Sequence, residues 1–149
     1  MKAIKNNVKA LPKNQLIKKV PACPVYLATD AKVHWKKSAQ ALIDAEVLKA
    51  IHLVGLGVLC TELAQFQFAN KAIAAANRKK AGSGYIQMFG TGAKNISVEV
   101  TLKNAAIKNI MQCLKQFGLD PKSEKELNLE PSTQLDMFDQ VFNKLTKTS

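Results

Sequence analysis

Little in this chain is suited to catalysis or cross-linking. Its three cysteines, Cys23, Cys60 and Cys113, are odd in number and widely separated, which excludes a disulfide framework and any CxxC zinc or redox pair. His34 and His52 are the only histidines, and no acidic or cysteine cluster beside them completes a metal site or a catalytic triad. The five acidic residues before residue 120, Asp30, Asp44, Glu46, Glu62 and Glu99, include no pair arranged for acid–base work. The glycines are equally uninformative for chemistry. Gly90-Thr91-Gly92-Ala93-Lys94-Asn95 fails the phosphate-loop pattern at Ala93 and Asn95, and Gly82-Ser83-Gly84 lacks the spacing of a nucleophile elbow. No cofactor is expected. Aromatic residues make up only 6% of the chain and fall mostly on apolar stripes, so they do not form a stacking platform for single-stranded nucleic acid. The longest purely apolar run, Leu53 to Cys60, is well short of the ~18 residues of a membrane span. No apolar stretch follows the lysine-rich first twenty residues as a secretory signal requires. A cytoplasmic protein with no membrane partner is expected.

What is present is positive charge. The 149 residues carry a net charge of +11 with a pI near 9.7, and 47% hydrophobic content suffices for one modest core. Residues 1–119 contain 18 lysines and arginines against 5 acidic residues, whereas residues 120–149 contain 4 against 6. A basic excess of this size condenses on polyanions. The change of sign near residue 120 points to different partners for the two parts.

Periodicity predicts a mainly α protein: a helical core with a long central helix, a short β-hairpin and a closing amphipathic helix. Residues 1–23 read as a flexible basic arm interrupted by Pro12 and Pro21. Thr29-Asp30 offers an N-cap for a first helix carrying Trp35, Ala39 and Leu42. After a break near Asp44-Ala45-Glu46, the longest helix begins at Leu48, is apolar on most sides between Leu53 and Phe68, and stops at Ala81–Gly84. That helix needs cover on more than one face. A hairpin over residues 85–97 turns at Gly90-Thr91-Gly92. A third helix from about Val98 presents Leu102, Ala106, Ile110, Leu114 and Phe117 on one side. Gly118 and Pro121 then end it, the first by taking a left-handed conformation and the second by lacking an amide hydrogen.

The lysines suggest how DNA is held. Lys2, Lys5, Lys9, Lys13, Lys18 and Lys19 lie on the arm, Lys36 and Lys37 on the first helix, Arg78, Lys79 and Lys80 at the end of the second, and Lys94 at the hairpin tip. Lysine contacts phosphate as a point charge without reading bases, so double-stranded DNA held by its backbone is the expected ligand.

The order of Pro24-x-x-Leu27, Trp35 followed by Leu42, Val47-Leu48, Gly90-Thr91-Gly92 with Lys94-Asn95, and Phe117-Gly118-Leu119-Asp120-Pro121 with Ser123 resembles the small terminase subunits of tailed bacteriophages. The similarity covers about residues 24–127, which on this reading form the DNA-recognition and oligomerisation core. It implies a non-catalytic protein in the cytoplasm of the bacterial host that binds viral DNA and assembles into a homo-oligomeric ring. Such a ring has roughly eight to ten copies joined by closing contacts, and delivers DNA to the large terminase subunit, an ATPase and nuclease. Residues 128–149 then read as a flexible tail whose Leu135, Met137, Phe138, Val141 and Phe142 dock on a partner, the large subunit first among them. Two other readings stand beside this one. A helix-turn-helix transcriptional regulator would be equally basic, helical and non-catalytic, but dimeric. A sliding-clamp-binding protein is suggested by Gln134-Leu135-Asp136-Met137-Phe138, which resembles the QL[SD]LF clamp peptide.

Overall fold

The computed structural model describes residues 15–119 and 143–145. Three helices carry the fold: α1 over Thr29–Asp44, α2 over Leu53–Lys79 and α3 over Val98–Gln116. A two-stranded antiparallel ribbon, β1 (Ile86–Met88) and β2 (Lys94–Ile96), stands between α2 and α3. The chain is mainly helical, as its periodicity predicts.

Helix α1 forms because Ala31, Trp35, Ala39 and Leu42 recur on one face, each 3% exposed or less. Its cap differs from expectation. The N-cap is Ala28, which has no side-chain bond, and Thr29 is already helical. Asp30 lies in the first turn and accepts a hydrogen bond from the amide of Ala31 at 2.9 Å, where its charge suits the helix dipole. The helix ends at the expected break: Glu46 has φ 56°, a left-handed conformation that a helix cannot continue through.

The central helix starts later than its apolar pattern suggests. Leu48 is fully buried but lies in an extended connection, where its carbonyl accepts the amide of Ile17 at 2.8 Å and Leu16 forms a β-bridge with Lys49. A backbone paired in this way is not available for helical bonding. A single 3-10 turn, Ala50–His52, then leads into α2 at Leu53. The same pairing holds residues 16–21 to the body, and the indole Nε1 of Trp35 donates to the carbonyl of Pro21 at 2.8 Å. Lys18 and Lys19 are exposed on this held segment. Lys2, Lys5, Lys9 and Lys13 lie outside the described residues.

Core packing centres on α2, whose Leu56, Leu59, Cys60 and Leu63 join Trp35 and Leu42 of α1 and Ile110, Cys113 and Leu114 of α3 in one cluster. Gly57 permits a close approach, because a Cβ there would lie 2.9 Å from the hydroxyl of Tyr26. Helix α3 closes as its sequence requires. Gly118 takes φ 77°, the amide of Leu119 reaches the carbonyl of Leu114 at 3.0 Å, and Phe117 and Leu119 turn into the core at 3% and 1% exposure. Leu145, from the far end of the chain, is 5% exposed in the same cluster.

Leu59→Ala removes a fully buried side chain from the helix that α1 and α3 share. It is expected to lower the unfolding free energy by ~2–5 kcal/mol. Urea titration followed by fluorescence of Trp35, the single tryptophan, measures this, and a loss below about 1 kcal/mol would show that the site collapses around the smaller side chain.

Candidate nucleic-acid interface

At its C-terminal end α2 finishes in three cations: Arg78 and Lys79 occupy the last turn and Lys80 is the C-cap residue. Cations are favoured there by the partial negative charge of the unpaired carbonyls. All three are exposed, which leaves their charged ends available to phosphate. The chain then folds back through Ala81–Gly84 into the ribbon, so that Lys80 and Lys94 line one cleft of about 440 Å³, with Gly82, Ser83, Ile86 and Met88 between them. Two cations separated in sequence by fourteen residues thus border a single concave surface.

The base of the ribbon is fixed by a knot of short hydrogen bonds. The hydroxyl of Ser83 donates to the carbonyl of Ala76 at 2.7 Å, and the amide of Gly84 donates to Oδ1 of Asn77 at 2.8 Å. Ser97 is 4% exposed; its hydroxyl donates to the carbonyl of Gly84 at 2.7 Å and accepts the amide of Val100 at 3.3 Å as the N-cap of α3. Gly84 must be glycine, since a Cβ there would stand 2.4 Å from the carbonyl oxygen of Ile73. These contacts join the end of α2, the ribbon and the start of α3 into one rigid corner, which sets the direction in which the ribbon projects. Residues 81–84 by themselves suggest only a helix stop; the signal for a built corner is Asn77 and Ser97 flanking the glycine pair.

The remaining basic residues are spread more widely. Lys36 and Lys37 are exposed on α1, and neither lines the cleft. A second hollow, about 210 Å³, is bordered by His34, Gln67, Asn70, Lys71, Phe66 and Leu145. It brings in Lys71, which the clustering of charge along the chain does not single out. His34 and His52 add no charge at neutral pH: burial pushes both below the ordinary imidazole value, against hydrogen bonds to Gln67 and to the carbonyl of Val47 that raise them. Burial also pushes the Cys60 thiol up to about 12, which makes it an inert core side chain. No cluster of three metal-binding side chains occurs among the described residues. Leu135, Met137, Phe138, Val141 and Phe142 lie outside them. Their neighbour Leu145 is seated in the core, and Lys144 reaches the carboxylate of Asp44 at 3.6 Å.

Apolar surface is the other prominent feature. Over Ala50–Lys79 the chain is long and apolar enough, by length and composition, to cross a bilayer, yet 33% of its most apolar window is buried inside the protein. The purely apolar run stops at Cys60, but alanines beyond Thr61-Glu62 carry the low polarity onward, which the length of that run alone does not reveal. Val54, Val58 and Phe68 on α2 are 71%, 47% and 63% exposed. Isolated exposed apolar residues are ordinary; a stripe of them is not.

The family model described as phage terminase, small subunit, matches residues 31–134. No curated protein and no solved structure matches the chain.

Ser97→Ala breaks the knot at its centre, removing a helix cap and a buried hydrogen bond together. The expected cost is ~1–3 kcal/mol, together with faster amide hydrogen exchange in residues 85–97 than in α1. Exchange in the ribbon that matches wild type would mean that Gly84 and Asn77 suffice to hold it.

Proposed function

The chain belongs to the phage terminase small-subunit family, and from that membership we propose that it binds viral double-stranded DNA, assembles as a ring and hands the DNA to the large terminase subunit. Membership supports a role in phage genome packaging, and the family is one of non-catalytic subunits. The finer reading rests chiefly on one observation: Lys80 and Lys94, from two elements, line a single exposed cleft, and Arg78 and Lys79 stand exposed in the adjoining last turn of α2. Contacts of this kind neutralise phosphates and release counterions, giving affinity without base readout. Lys18, Lys19, Lys36, Lys37 and the lysines nearer the N-terminus extend the same field and steer DNA to the corner. The bacterial cytoplasm, where packaging substrates accumulate, is the compartment this reading requires.

A ring gives the positive corner its purpose, since repetition around an axis presents many weak phosphate contacts to one DNA molecule. The large subunit, in this reading, is captured by Leu135, Met137, Phe138, Val141 and Phe142 from the acidic segment. Apolar side chains among acidic ones suit a partner that avoids the protein's own basic surface.

Replacing Arg78, Lys79, Lys80 and Lys94 together with glutamine is expected to weaken duplex binding in gel-shift titrations. It should also reduce the slope of log K against log salt by about 3–4, close to ~0.9 for each phosphate no longer neutralised. An unchanged slope would place the DNA elsewhere. For the tail, Leu135, Met137 and Phe138 changed together to alanine should abolish capture of the purified large subunit while leaving duplex affinity intact. This variant is more informative than truncation because it keeps Leu145 in the core; retained capture would reject the assignment.

A further inference from the structure

The cleft that Lys80 and Lys94 border has a wall that phosphate does not explain. Between the two cations stand Ile86 and Met88, 49% and 59% exposed. The pairing of Ile86 with Ile96 and of Met88 with Lys94 puts these four residues on one face of the ribbon, because successive residues of a strand point to opposite sides. An apolar wall strips water from a phosphate oxygen and returns no hydrogen bond, which is unfavourable. The part of a duplex that meets cations and apolar side chains together is a groove, with phosphates along its rims and base edges on its floor.

We infer that the ribbon enters the major groove of the duplex with this face toward the bases, and that Ile86 and Met88 are specificity-determining residues that pack on the C5 methyl groups of thymine. The inference rests on the DNA reading above and adds base selection to its phosphate contacts. Three observations carry it. The first is size. Two strands ~4.8 Å apart pass into a major groove ~12 Å wide and not into a minor groove of ~6 Å, and the apolar group that bases present in the major groove is the thymine methyl. The second is spacing. Ile86 and Met88 are two residues apart on β1, ~6.8 Å along the strand. Two steps of a DNA strand, at ~3.4 Å each, cover the same distance, so a strand that follows the groove brings each side chain to a base edge. The third is charge, which selects the face. On the other side of the ribbon, Gln87 borders a hollow of about 280 Å³ whose charged residue is Glu99, and DNA approaching there meets repulsion. Asn95, paired with Gln87, already uses its Oδ1 to accept the amide of Ile96 at 2.8 Å. The Ile86 face instead has Lys80 and Lys94 at its border, with Arg78 and Lys79 in the adjoining turn. The hydrogen bonds of Ser83, Gly84 and Ser97 fix the ribbon at its base, which reduces the ordering that binding has to supply.

The test uses the full chain and self-complementary duplexes of alternating adenine and thymine, compared by fluorescence anisotropy with the same duplexes carrying uracil, which lack only the thymine methyls. Wild type should bind the thymine duplex more tightly, by about fourfold for each methyl in contact, the effect of one buried CH₂. The salt dependence should be the same for both. Ile86→Ser combined with Met88→Ser should bind the two duplexes equally, near the wild-type affinity for the uracil duplex, with the helical circular dichroism of wild type. Equal wild-type affinity for both duplexes, with the salt dependence retained, would overturn the base contact and leave the phosphate reading standing. Binding to neither duplex would remove both. A methyl preference that survives in the double serine variant would also overturn the proposal, and a fall in that variant's particle mass by light scattering would then assign the face to a second copy of this chain.

Discussion

A single helix has to satisfy two neighbours at once. Leu56, Leu59 and Leu63 of α2, none more than 2% exposed, pack in one cluster with Trp35 and Leu42 of α1 and with Ile110 and Leu114 of α3. Neither outer helix could bury its apolar side without α2, since an isolated helix of 16 or 19 residues is marginal in water. The arm segment, the ribbon and the returning Leu145 all attach to this three-helix unit. Serving two neighbours still leaves Val54, Val58 and Phe68 of α2 open, which explains how a helix apolar enough for a bilayer remains only partly buried.

Charge follows from the same arrangement. With the middle of α2 committed to packing, the cations occupy its C-terminal end, where the helix dipole welcomes them and no apolar neighbour has to be displaced. The knot around Gly84 then aims the ribbon so that Lys94 joins Lys80 across the cleft. The exposed Val54, Val58 and Phe68 thereby lie beside the helix shaft, and Arg78, Lys79 and Lys80 at its tip.

Much of this is legible in the residues. The periodicity of Trp35, Ala39 and Leu42, and of Ala106, Ile110 and Leu114, marks the outer helices; Gly118 marks the closing turn; and the ordered motifs mark the family. The start of α2 is not legible, because Leu48 has the right spacing for a helix but its carbonyl is taken by Ile17, thirty-one residues earlier. Long-range pairing of that kind leaves no local trace. Gly84 likewise reads as part of a helix stop, although its real constraint is the carbonyl of Ile73 across the corner. Composition alone finds the cations, but only the fold brings Lys80 and Lys94 to one cleft and leaves Lys36 and Lys37 off it.

The seating of Leu145 makes the far end of the chain part of the fold. Leu119, at the close of α3, and Leu145 lie in one buried cluster, and Lys144 reaches the carboxylate of Asp44 of α1 at 3.6 Å. Any change that unseats Leu145 therefore disturbs the three-helix core itself, and is felt as a loss of stability and not only as the loss of an appendage.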